Sequence, residues 1–120
     1  MAIPSRVMGT GQSAASAINI VGDLNDTLTA TGTTLATGLQ LSAASNILTT
    51  VASSTGAVLP PAEKGAIVYV KNLGAQTLTV YPQSASGTIN GGSAGAGVSV
   101  AAAAAQTFVA RNTLDWVCNA

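Results

Sequence analysis

From Leu39 to the C-terminus, apolar and polar residues alternate with a period of two. Leu39 and Leu41 alternate with Gln40 and Ser42, and Ile47, Thr49 and Val51 alternate with Leu48 and Thr50. Ala66, Val68 and Val70 alternate with Ile67, Tyr69 and Lys71, and Leu78 and Val80 alternate with Thr77, Thr79 and Tyr81. Side chains that swap faces at every residue belong to strands with one face in a core. Val98-Ser99-Val100, Thr107-Phe108-Val109 and Leu114–Cys118 supply three more short strands.

Turn chemistry separates these runs. Ser53-Ser54-Thr55-Gly56, Asn72-Leu73-Gly74-Ala75 and Asn90-Gly91-Gly92 read as turns, and Gly91–Gly97 reads as a flexible loop. The runs before and after Asn72–Ala75 predict a hairpin, with Pro82 ending its second strand because proline cannot donate to the ladder. The five alanines Ala101–Ala105 favour helix by propensity, but the run is well below the ~12–15 residues of a marginal helix. It reads as the end of one strand, a loop and the start of the next.

Residues 1–38 show no sustained period. Short apolar islands, Val7-Met8 and Ile18-Asn19-Ile20-Val21, stand among Gly, Ser, Thr and Ala. The pattern therefore predicts an all-β chain: a small β-sandwich or jelly-roll-like domain of about seven or eight short strands over residues 39–120, preceded by an extended N-terminal arm over residues 1–38. The arm's apolar anchors, Val7, Met8, Ile18, Ile20 and Val21, are the candidate interaction residues, suited to docking in shallow grooves or to adding a strand to a sheet edge.

Composition narrows the chemistry. Only 7% of the 120 residues are charged, against roughly 25% in ordinary globular proteins, and the formal net charge is zero. Just over half of the chain is Ala, Gly, Ser or Thr, and the aromatics are Tyr69, Tyr81, Phe108 and Trp116. With no His, there is no Ser-His-Asp triad, no Cys-His dyad and no imidazole metal ligand. The neutral balance offers no basic patch for nucleic acid or anionic lipid. Apolar stretches such as Ala66–Val70 and Val100–Ala105 fall far short of the ~20 residues that span a bilayer. Pro4, Ser5, Arg6 and Gly9 interrupt what would be a signal peptide's apolar core, so the chain is expected to be made in a cytosol and not exported by a signal. No enzymatic activity, cofactor, metal or small-molecule substrate is expected.

The remaining motifs weigh toward structure. Gly9-Thr10-Gly11-Gln12-Ser13-Ala14 fits G-x-G-x-x-A with Asp26 downstream, but the strand–turn–helix context of a dinucleotide site is missing. Asp23 and Asp26, the carboxylates close in sequence, read as polar turn residues, and Glu63-Lys64 reads as a solvated turn. Tyr69, Tyr81 and Trp116 have the faces to stack on a sugar, yet so few aromatics are needed to fill a core, and Trp116 is expected there. Cys118 is alone and reads as a buried thiol in a terminal strand.

A resemblance adds a setting. Leu59–Gly65, then Val70–Pro82, then Gly87–Gly91, then Phe108-Val109-Ala110 and Trp116 resemble small β-sandwich virion proteins of tailed bacteriophages, among them capsid decoration (cement) proteins and head-fibre or tail-associated modules. The likeness covers about half of the chain and concerns turns and core positions. It implies a virion protein made in the host cytoplasm and placed on the capsid surface. There it would form a homotrimer and bridge subunits of the major capsid protein. The alternatives are a tail-fibre, tailspike or baseplate module and, from a different class, a carbohydrate-binding receptor module.

Overall fold

A computed structural model of the chain describes residues 24–119. Those residues are all-β. Their ten strands are β1 (Leu24–Thr29), β2 (Leu39–Gln40), β3 (Ser45–Thr50), β4 (Gly56–Val58), β5 (Ile67–Asn72), β6 (Leu78–Tyr81), β7 (Thr88–Ile89), β8 (Val98–Val100), β9 (Ala105–Ala110) and β10 (Asp115–Val117). They form a six-stranded sheet in the order β1-β3-β5-β9-β10-β7 and a four-stranded sheet in the order β2-β4-β6-β8.

The path between the sheets is the main departure from expectation. Residues 24–87 run as three coils, each placing one strand in the six-stranded sheet and the next in the four-stranded sheet. Successive coils therefore stack in parallel, β1 on β3 on β5 and β2 on β4 on β6. This is solenoid-like, and it differs from the antiparallel connections of a jelly roll. After the third coil the chain reverses: β8 pairs antiparallel with β6, β9 with β5, and β10 with β9, while β7 lies parallel beside β10.

The hairpin expected around Asn72–Ala75 does not form, because β5 and β6 lie in different sheets. The segment is a corner. Asn72 donates its side-chain amide to the carbonyl of Gln76 at 2.8 Å, and its Oδ1 accepts from the backbone N–H of Gly74 at 2.9 Å. Gly74 is pressed on the corner of the preceding coil, where a Cβ would stand 2.6 Å from the Val51 nitrogen. The expected end of β6 at Pro82, the Asn90-Gly91 turn and the division of the alanine run all occur. Asn90 and Gly91 have φ of 56° and 71°, and the Gly92 N–H donates to the Ile89 carbonyl at 3.1 Å, as in a mirror-image tight turn.

The strand count is ten among the described residues, against seven or eight expected. Part of the excess comes from residues 24–38, assigned above to the arm. They form β1 and the first corner, and Ala30 behind β1 is buried. Residues 1–23, the rest of that arm, lie outside the described residues.

Both sheets feed one core. Leu48, Val68, Val70, Phe108, Ala110, Trp116 and Ile89 come from the six-stranded sheet, and Ala57, Leu78, Val80 and Val100 from the four-stranded one, with Leu41 and Leu59 just beyond strand ends. Burial alternates along β5 and β6 as the sequence period predicts. In β3 the inward residues are Asn46 and Leu48. The phase slips after them, so that Val51 is buried while Thr49 and Thr50 are exposed.

Candidate functional site

The residues carrying chemistry are dispersed. Among the described residues no three His, Cys, Asp or Glu side chains come together as a metal site. Asp26 is exposed on β1, and Glu63 and Lys64 are exposed in the turn before β5. Asp23, the Gly9–Ala14 run and the five anchors Val7, Met8, Ile18, Ile20 and Val21 lie outside the described residues.

Trp116 is fully buried, and its indole N–H donates to Gln83 Oε1 at 2.7 Å, so its faces are committed to the core. Tyr69 and Tyr81 are half-buried, and the Tyr81 hydroxyl donates to the Thr33 carbonyl at 3.0 Å, tying the third coil to the first corner. Cys118 is half-buried, not buried as expected; its N–H donates to Asn90 Oδ1 at 2.9 Å.

Asp115 sits in a compact polar cluster at the start of β10. Thr88 Oγ1 donates to its Oδ1 at 2.6 Å and Asn112 Nδ2 to its Oδ2 at 3.1 Å. These hydrogen bonds, the Thr88 one foremost, hold the carboxyl below the usual carboxylate range, with a smaller contribution from the Arg111 charge. The Asn112 Oδ1 in turn accepts from the N–H groups of Leu114 and Asp115, at 2.8 and 2.9 Å. The Asn112 bonds close the turn into β10, and the Thr88 bond ties β7 to β10 across their parallel pairing.

An open depression of about 320 Å³ lies where the second and third coils turn, lined by Ser53, Ser54, Gln76, Thr77 and Thr79. Its hydroxyls and one amide can exchange hydrogen bonds with a ligand, but none of them titrates near neutral pH. Nothing in the residue pattern announced it, since its two halves come from separate corners.

The larger feature is the outer face of the six-stranded sheet. Residues paired in register point to the same side, and Asn46, Val68, Val70, Phe108 and Trp116 point inward. Their neighbours must therefore point out. One row runs Ile67–Val109–Val117, a second Leu24–Ser45–Tyr69–Thr107, and a third Ile47–Lys71–Ala105. Ile67 and Leu24 are 60% and 59% exposed, and the other aliphatic side chains of these rows are half-buried. Lys71 is the charged side chain on these rows, and its ammonium is engaged by the Ala103 carbonyl at 2.6 Å. The face is thus a pleated apolar surface with a few hydroxyls. Its components on β5 were visible in the alternation of Ile67, Tyr69 and Lys71, but the rows depend on which strands are neighbours.

Comparison with protein-family models, with curated proteins and with solved structures finds no match to this chain.

Proposed function

We propose that the chain is a structural virion protein, a capsid cement (decoration) protein that lies on the outer surface of a phage head and bridges neighbouring subunits of the major capsid protein. The observation that carries this reading is the outer face of the six-stranded sheet, where Ile67, Tyr69, Val109, Val117, Ile47 and Leu24 form apolar rows. Such a surface joins another protein without stripping water from charges, which is the largest cost of burying a polar face. About 800 Å² per partner suffices for stable association, and a homotrimer at three-fold and quasi-three-fold positions multiplies it through avidity. The role calls for adhesion and no chemistry, in keeping with a chain that is 7% charged and has no His. Cofactors, nucleic acid, membrane and small-molecule substrates have no part in it. The protein is made in the host cytoplasm and ends in the virion. In its layers, two sheets around one core, the domain is a small sandwich; in its path it is a stack of coils.

The stacked coils favour a second reading. A solenoid extends along one axis by adding like units, which suits a segment of a tail fibre, tailspike or baseplate.

Copy number in purified virions separates the two: hundreds place the protein on the head, a few to a few dozen on the tail. Ile67→Asp tests the adhesive face, because Ile67 is 60% exposed and the change leaves the core intact. Occupancy of undecorated capsids is expected to fall sharply for this variant, and unchanged occupancy would overturn the assignment of that face.

A further inference from the structure

On β6, Leu78 and Val80 point into the core, so Thr79 and Tyr81, which alternate with them, stand on the outer face of the four-stranded sheet. The Tyr81 ring lies flat on that face because a glycine flanks it on each side. A Cβ on Gly56 in β4 would be 2.7 Å from Cε2 of the ring, and a Cβ on Gly97, just before β8, would be 3.0 Å from Cδ1. Glycine in a strand marks this kind of close approach. The Tyr81 hydroxyl donates to the Thr33 carbonyl at 3.0 Å, which fixes the ring's direction. One face of the ring is thus seated on backbone, and the other is turned away from the sheet.

Beside the ring lies the depression of about 320 Å³ lined by Ser53, Ser54, Gln76, Thr77 and Thr79. Thr79 joins the two features, since it lines the depression and is two residues from Tyr81 on the same strand face, ~7 Å along the chain. The volume is at the small end of the ~300–1,000 Å³ of ligand sites. Ser53, Ser54, Gln76 and Thr77 are exposed, and none of the five side chains is hydrogen-bonded to another described residue. Four hydroxyls and one amide are therefore open to a ligand, and each can both donate and accept. The corner also holds Ser54 at a φ of 64°, backbone strain of the kind that gathers at binding sites.

Charge decides the class of ligand. Among the described residues no Lys, Arg, Asp or Glu lines the depression, so phosphates, nucleotides and other ions find nothing there to offset the loss of their water. A pyranose matches both features. Its C–H face is apolar and slightly positive, which suits the negative face of an aromatic ring, and its rim is made of hydroxyls.

We infer that Tyr81 and the adjoining depression form a binding site for a neutral saccharide. The Tyr81 ring is the stacking platform, and Gln76, Thr77 and Thr79 exchange hydrogen bonds with the sugar's hydroxyls. The site belongs to the four-stranded sheet, so a chain docked through the outer face of the six-stranded sheet still presents it. The inference does not depend on the cement reading.

NMR titration of the full chain tests it, with glucose, galactose, N-acetylglucosamine and their α- and β-linked disaccharides as probes and glycerol as the control polyol. At least one sugar is expected to give saturable shifts at the amides of residues 53–54, 76–81 and 97–99 and at the Tyr81 ring protons, and glycerol none. Gln76→Ala/Thr77→Ala truncates two exposed side chains and keeps the fold, and affinity for that sugar is expected to fall about 10-fold or more. Tyr81→Phe keeps the ring and is expected to bind within about 3-fold of the parent, whereas Tyr81→Leu is expected to lose saturable binding. The absence of saturable shifts at these amides with every sugar would overturn the inference. So would equal shifts with glycerol, or an unchanged affinity in Gln76→Ala/Thr77→Ala.

Discussion

Asn72, the last residue of β5, donates its side-chain amide to the carbonyl of Val100 in β8, at 3.0 Å, so one buried side chain joins the two sheets. The same amide reaches the Gln76 carbonyl, and Oδ1 takes the Gly74 N–H. Asn72 is fully buried, and its backbone N–H donates to the Ala104 carbonyl at 2.9 Å. One residue therefore sets the corner between β5 and β6 and anchors the loop that leads into β9.

Replacing Asn72 removes donors from carbonyls that have little access to water. Asn72→Ala is expected to cost about 2–4 kcal/mol, one to two buried polar groups left unpaired plus a small cavity. Asn72→Leu separates the two contributions, since it restores volume without the hydrogen bonds. Urea unfolding of both variants is the measurement. A Leu variant as stable as the parent would show that packing, and not the hydrogen bonds, holds the corner.

Trp116 fills the core where β10 meets β9 and β7. Trp116→Ala is expected to cost about 3–5 kcal/mol, enough to leave a domain of ordinary stability close to unfolding. Trp116→Phe keeps most of the packing but strands the Gln83 amide oxygen, for a smaller loss of about 1–2 kcal/mol. Because Trp116 is the one tryptophan of the chain, its fluorescence reports the site directly. Emission is expected to be blue-shifted in the native state and to move to the red on unfolding.

What the residue pattern reveals and what it hides follow from the same geometry. Alternation along Val68–Val70 and Leu78–Val80 reports which side chains face a core, and those residues are buried as read. It carries no information on which strand lies alongside, so adjacency in sequence suggested a hairpin where the chain crosses between sheets. Coil lengths also vary: Leu39 pairs with Ala57 after 18 residues, whereas Asn46 pairs with Val70 after 24. A repeat with so elastic a step escapes a search for a fixed period. β1 went unseen because its register shifts between Asn25 and Leu28, which breaks the period of two in a strand of mostly polar residues. The outer apolar face shares this difficulty, since its rows exist only once the register is known.

Gly74 tests the stacking of corners. A Cβ there would stand 2.6 Å from both the nitrogen and the Cβ of Val51, so a backbone must shift. Gly74→Ala is expected to destabilise by about 1–3 kcal/mol, in the range of overpacked cores. The control is Gly92→Ala, where the nearest atom to an added Cβ, the Ile89 carbonyl oxygen, is 3.2 Å away. A smaller loss is expected there, and equal losses for the two variants would remove the corner contact as the cause. Thermal melts of the two proteins in parallel give the comparison.

Asp115 makes stability depend on pH in a defined direction. Its carboxyl titrates below the usual carboxylate range in the folded protein, chiefly because Thr88 Oγ1 and then Asn112 Nδ2 donate to the ionised form. In the unfolded chain those donors are gone and the carboxyl takes up its proton at higher pH. The unfolded state therefore binds more protons across the interval between the two values, and stability rises with pH there. The contribution is fully present above the unfolded value, about pH 4, and is lost as pH falls through the folded one. Thr88→Val removes the stronger donor and leaves the carboxylate in place, so it is expected to flatten this part of the profile. The check is the melting temperature of the parent and of Thr88→Val from about pH 6 to about pH 2, where the two curves should converge at the acid end. Parallel curves across that interval would show that Thr88 does not set the titration of Asp115.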